Sequence, residues 1–196
     1  MKRLVAFAIA LSFALPLRAE QRITLNVPVV LQQTQVWCWL AVSEMIVKYY
    51  KLDHRSPQQC QMVAAVRRMP ESVCCSGNAQ CVTPGGIGEI ASLIQHYTGY
   101  RPTVVSRPDK PSDVVKALRR DKVIIAALPN SSGGGHVVIV RGIQRSNGNV
   151  QLLINDPMSP RPYIVDFNQF KGGWQEAIIV QFSPDTSDDS SVEDDD

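Results

Sequence analysis

The chain has 196 residues, 44% of them hydrophobic and 19% charged, with a formal net charge of +2. That length supports one domain with a sizeable core. The Lys and Arg residues are scattered rather than interleaved with aromatics in one stripe, which argues against a nucleic-acid-binding surface.

In chain order, Lys2 and Arg3 precede an apolar run from Leu4 to Leu17. This charge order and length read as a secretory signal peptide over residues 1–19, with Ala19 last before cleavage. The competing reading is an uncleaved N-terminal anchor. No cysteine follows the run to accept a lipid, and no later segment is long and apolar enough to span a bilayer. The mature chain is expected to be secreted or periplasmic, with no stable membrane insertion.

Residues 22–30, RITLNVPVV, form an extended lead-in, with Pro28 keeping the chain at a sheet edge or outside a sheet. The stretch 37–50, WCWLAVSEMIVKYY, lacks Gly and Pro and is apolar around most of its circumference, its polar residues being Ser43, Glu44 and Lys48. It predicts a buried central helix. Ser56-Pro57-Gln58-Gln59 reads as a cap, an N1 proline and a capping-box glutamine, opening a helix over 57–68. Thr83-Pro84-Gly85-Gly86 introduces a helix at 87–98, and Pro111 another at 111–121. Gly85-Gly86-Ile87-Gly88 has no preceding strand and no Lys-Ser after it, so it is helix entry rather than a phosphate loop.

The pattern then changes. Short β-branched runs at 123–128, 136–143, 150–156, 161–167 and 176–182 are separated by turn signals such as Ser146-Asn147-Gly148-Asn149. Helices first and strands afterwards predict an α+β domain, a helical half packed on an antiparallel β-sheet half. The last twelve residues, 185–196, carry seven acids and no base, the composition of a disordered solvated tail. Residues 20–184 hold 17 Lys and Arg against 11 Asp and Glu.

The five cysteines are Cys38, Cys60, Cys74, Cys75 and Cys81. Four lie in one short segment of a chain expected to meet an oxidising compartment. Two pairings are open: Cys60–Cys74 with Cys75–Cys81, or Cys60–Cys75 with Cys74–Cys81. A four-thiolate zinc site fits poorly, because adjacent ligands without a C-x-x-C pair are not its spacing. Cys38 is left over. It begins the central helix, where unpaired backbone N–H groups and the positive end of the dipole favour a thiolate. Gln32 lies six residues upstream, and its side-chain amide suits stabilisation of an oxyanion.

A cysteine nucleophile needs a base and a group that orients the base. Of the three histidines, His54 lies in a polar stretch and His96 at a helix tail. His136 follows Gly133-Gly134-Gly135 and opens a strand, sharing a face with Val138 and Val140 while Arg141 points the other way. It is the candidate base. Its orienting partner lies in Asn155-Asp156-Pro157 at the end of the next strand, where adjacent residues face opposite sides. Asp156 is in phase with Val150, Leu152 and Ile154, and Asn155 with Leu153 and Gln151. The phase favours Asp156.

This ordered set, Gln32 six before Cys38, a Gly-rich run into His136, and Asp156-Pro157, resembles the bacterial papain-like cysteine peptidases. The resembling branch is the one related to plant-pathogen effector proteases and double-glycine leader peptidases. It covers residues 27–182 and implies a papain-like domain over 20–184, a Cys38–His136–Asp156 triad and an oxyanion held by Gln32. It further implies a peptide or protein substrate, with no metal and no cofactor. The cysteine cluster 60–81 is a departure that the resemblance does not account for. An amidase or transamidase with the same triad, and a non-catalytic binding protein on the same scaffold, are the competing functions.

Overall fold

The computed structural model describes residues 22–50, 56–129 and 135–181. The signal peptide, the acidic tail, His54, Gly133 and Gly134 lie outside the described residues. In chain order the elements are β1 (Arg22–Thr24), α1 (Cys38–Tyr50), α2 (Gln59–Arg67), α3 (Glu71–Cys75), α4 (Ile87–Thr98), β2 (Arg101–Ser106) and α5 (Pro111–Leu118). They continue with β3 (Ile124–Pro129), β4 (Gly135–Ser146), β5 (Asn149–Asn155), β6 (Tyr163–Asp166), α6 (Phe167–Gly173) and β7 (Glu176–Gln181). A 3-10 turn, Ala79–Cys81, joins α3 to the segment before α4. The α+β architecture is the expected one.

The strands form one antiparallel sheet in the order β2-β7-β3-β4-β5-β6. β1 pairs with residues 142–144 of β4, on the edge opposite β5. Long β4 is thus the spine, flanked by β3 and β1 on one side and β5 on the other. Against β5 its register shifts between Val140 and Gly142, so Arg141 is a bulge. Val138, Val140 and Ile143 consequently share one face although their numbering changes parity. Gly142 is where β1 closes on the spine. An added Cβ there would stand 2.7 Å from the Ile23 carbonyl oxygen.

The expected single helical layer is only half of the arrangement, because both faces of the sheet are covered. One core joins Trp39, Met45 and Ile46 of α1 and Ile90 and Ile94 of α4 to Ile125, Val137, Ile139 and Ile178 of the strands. A second joins Val114 and Leu118 of α5 and Phe167, Phe170 and Trp174 to Ile124, Val138, Val140 and Ile154. Strands covered on both sides read as continuous apolar runs, which is why β3 and the start of β4 show little alternation.

Four local differences from the sequence-based expectation have simple causes. β2 falls where no strand is expected. It pairs only with β7, and such an edge tolerates Pro102. α3 fills part of the expected 70–86 loop, starting directly after Pro70. The expected strand 161–167 is β6 followed by α6, because the Asp166 carboxylate accepts the N–H groups of Asn168 (2.8 Å) and Gln169 (3.1 Å) and starts a helix. α2 begins at Gln59 rather than Pro57. Its capping residue is Gln58, whose N–H donates to Gln61 Oε1 at 2.8 Å.

The structure chooses the second cysteine pairing, Cys60–Cys75 and Cys74–Cys81. Adjacent residues on a helix diverge by about 100°. Within α3, buried Cys74 therefore turns inward to Cys81, while exposed Cys75 meets α2 at Cys60. Cys38 is the free thiol, partly exposed.

Candidate active site

Cys38 is the first residue of α1. Trp37 stands as the cap, its carbonyl accepting the N–H groups of Leu40 (3.1 Å) and Ala41 (3.0 Å), and its own N–H donates to Thr34 O at 3.3 Å. The helix starts here because the apolar run of α1 begins here. Residues 39–47 are all buried.

His136 is the second residue of β4, opposite Leu128, one residue before the end of β3. The structure narrows the strand-phase argument. Both sheet faces are apolar, and the α1 side receives Val137 and Ile139 while Val138 and Val140 face α5 and α6. Position at the end of the sheet, more than phase, brings the His136 ring near enough to Cys38 for the two to interact electrostatically.

Asp156 lies one residue beyond β5. Asn155 pairs with Ile139, so continuing the register sets Asp156 across from Val138 and diagonal to His136 on the same face. Its Oδ1 is 2.9 Å from His136 Nε2, and both side chains are under one-fifth exposed. The same oxygen accepts the Met158 N–H at 2.8 Å, which fixes the carboxylate on the turn. Asn155 is fully buried and faces elsewhere, its Nδ2 donating to Val27 O at 2.9 Å. Asp156, not Asn155, is thus brought to His136.

The electrostatics follow from this contact. Burial opposes a charge on His136, but the hydrogen bond and charge of Asp156, with the neighbouring Cys38, outweigh it and raise the imidazole to about 9. Burial also disfavours the Asp156 carboxylate. The bonds from His136 and the Met158 N–H overcome that and hold it below its usual value. With Nε2 engaged by Asp156, Nδ1 is the nitrogen left to the sulfur.

Gln32 reaches this region through its backbone. Its N–H donates to Pro157 O at 2.9 Å, docking its loop on the Asp156-Pro157 turn. One N–H of its side-chain amide is spent on Thr34 O at 2.8 Å, leaving a second for a ligand. Exposed Leu31 and Met158 flank this junction. His96, by contrast, is exposed on α4, its ring against that of Tyr97. The described residues include no group of three or more His, Cys, Asp or Glu positioned to hold a metal.

Sequence reasoning missed the buried polar side chains beneath the loop. Gln59, read as a capping residue, is fully buried. It donates to Leu31 O (2.8 Å) and Glu44 Oε2 (3.1 Å) and accepts the Gln33 N–H (2.9 Å). Glu44 also pairs with Lys48 at 2.6 Å. A carboxylate on the most buried helix was the available signal, since buried charges need partners.

Comparison with known proteins identifies the family and the fold. Residues 21–173 match the family described as papain-like cysteine protease AvrRpt2. Among solved structures, a putative C39-like peptidase from Bacillus anthracis is 14% identical with a TM-score of 0.59. The match covers 84% of this chain and all of that one. The peptidase domain of Streptococcus ComA, a bi-functional ABC transporter, is 15% identical with a TM-score of 0.51, over 79% of this chain and 96% of that one. At such identities these likenesses establish the fold. No curated protein sequence matches the chain.

Proposed function

The chain belongs to the papain-like cysteine protease family described for AvrRpt2 and is a cysteine-type peptidase, and on that premise we propose that it cleaves peptide bonds with Cys38 as nucleophile, His136 as acid and base, Asp156 as orienting group and Gln32 as oxyanion donor. The observation that carries this reading is the free thiol at the first residue of α1, in electrostatic reach of a histidine whose Nε2 is 2.9 Å from a carboxylate.

In the proposed cycle the Cys38 sulfur attacks the amide carbonyl. The oxyanion is held by the free amide N–H of Gln32 and the Cys38 backbone N–H, one of the donors a helix start leaves unpaired. Protonated His136 gives its proton to the departing amine, leaving a thioester. His136 then takes a proton from water, whose oxygen attacks the thioester carbonyl. Collapse expels the Cys38 thiolate and releases the acid. Losing one oxyanion donor in such a cycle costs about 100- to 1,000-fold in rate. The substrate is a peptide or protein.

We also propose export after removal of residues 1–19, placing the protein outside the cytoplasm. Two disulfides support that reading, since they persist in oxidising compartments. No helix among the described residues is long and apolar enough to cross a membrane.

The decisive test is alkylation of Cys38 by iodoacetamide at mildly acidic pH in wild type and His136→Ala. Fast labelling of the first and slow labelling of the second is expected. Equal, slow labelling of both removes the ion-pair mechanism. Product analysis with added amine acceptors separates hydrolysis from amide transfer.

A further inference from the structure

Both bonds of the disulfide cluster lead to the candidate site. Cys60 adjoins Gln59, whose side chain is bonded to Leu31 O and the Gln33 N–H, the residues on either side of Gln32. Cys81 O accepts the indole N–H of Trp37 at 3.2 Å, and Thr83 O accepts that of Trp39 at 3.2 Å. These are the residues on either side of Cys38. Gly85 then packs on Trp39 so closely that an added Cβ would be 2.3 Å from the ring. Arg67 caps the same ring at 5.6 Å and bonds to Thr83 Oγ1 at 3.0 Å.

The amide of Gln59 has one stable orientation. Both of its N–H groups face acceptors, Leu31 O and Glu44 Oε2, and its oxygen faces a donor, so a flipped amide would oppose like with like at all three contacts. Glu44 belongs to α1, so the same side chain ties the Gln32 loop to the helix that carries Cys38.

We infer that the two disulfides position the reacting groups: Cys60–Cys75, through Gln59, sets the backbone on both sides of Gln32, and Cys74–Cys81, through the carbonyls of Cys81 and Thr83, sets the tryptophans on both sides of Cys38. Gln59, Trp37 and Trp39 are positioning residues. The inference rests on the reading of Cys38 and Gln32 given above. It implies an enzyme that needs one cysteine reduced and four oxidised at once.

Two reactions separate the two arms. Iodoacetamide alkylation forms a sulfur–carbon bond as iodide leaves and develops no oxyanion. Acylation by p-nitrophenyl acetate passes through one and releases p-nitrophenolate. Gln59→Ala is expected to slow acylation about 10- to 100-fold while alkylation stays within about twofold. The double variant Gln32→Ala/Gln59→Ala should acylate no more slowly than Gln32→Ala alone, because both changes remove one function. Trp37→Phe, which keeps the ring packing and deletes the indole N–H, should slow both reactions about tenfold. Adding it to His136→Ala should cost nothing further in alkylation.

The serine pairs should reproduce these signatures: Cys60→Ser/Cys75→Ser that of Gln59→Ala, and Cys74→Ser/Cys81→Ser that of Trp37→Phe. Losses that multiply in the double variants, or Gln59→Ala slowing both reactions equally, overturn the inference. Gln32→Ala acylating at the wild-type rate instead overturns the assignment of Gln32 itself. Single-residue variants keep the test decisive where a serine pair fails to fold.

Discussion

The two halves of this molecule hold their candidate catalytic groups by different means. In the sheet half, His136 near the start of β4 and Asp156 just past the end of β5 are set diagonally by the ladder register, with the Met158 N–H holding the carboxylate. In the helical half, Cys38 and Gln32 sit beside loop segments with no ladder. There the work falls to disulfides, indole N–H groups and a buried amide. Groups on paired strands need few additional restraints, whereas groups on loops must be tied down one contact at a time.

The largest expected effect breaks the helical half. Replacing Cys74 and Cys81 with serine should destabilise the fold by about 2–5 kcal/mol, visible as a lower urea midpoint. Hydrogen exchange should show α1 to α4 losing protection before β3 to β5. Uniform loss across both halves would erase the contrast.

A second experiment addresses the sheet half through pH. The raised His136 and lowered Asp156 values mean that their contact stabilises the fold most between the two titrations. That contribution is complete below the ordinary histidine value of 6.5 and fades as pH rises through about 9. At the acid end it fades as pH falls through the depressed value of Asp156. In Asp156→Asn the alkaline limb of kcat/KM should move down from about 9 toward 6.5. The Tm difference from wild type should narrow above about pH 9 and again in acid. A limb that stays in place would show that Asp156 does not hold the proton on His136.

Paired glycine substitutions compare the halves at close contacts. Gly85→Ala drives a methyl group into the Trp39 ring, and Gly142→Ala drives one into the Ile23 carbonyl. Each should cost about 1–3 kcal/mol in denaturant titrations. Only Gly85→Ala should also slow Cys38 alkylation, since only that contact bears on the nucleophile's neighbour.

The smallest expected effect is Asp166→Ala, which removes the cap of α6 far from the disulfides. It should cost about 1 kcal/mol by thermal melting and leave Cys38 alkylation unchanged.

Part of the fold and of the candidate site is legible in the amino-acid sequence alone. An odd cysteine count with four of the five clustered at 60–81 leaves Cys38 over, and local capping signals predict the helix at 87–98, the span observed for α4. β-branched runs mark β3, β4 and β5, and strand phase favours Asp156, the residue that the structure brings to His136. These features depend on residues a few positions apart, so periodicity and local hydrogen bonding determine them. The tertiary structure decided what depends on distant segments meeting. It paired Cys75 with Cys60, covered the second face of the sheet with α5 and α6, and buried Gln59 between the Gln32 loop and Glu44. A glutamine in a capping pattern looks the same in sequence whether its amide faces water or a loop backbone and a buried carboxylate. Only packing removes the water, and only then must each of its donors and acceptors find a partner.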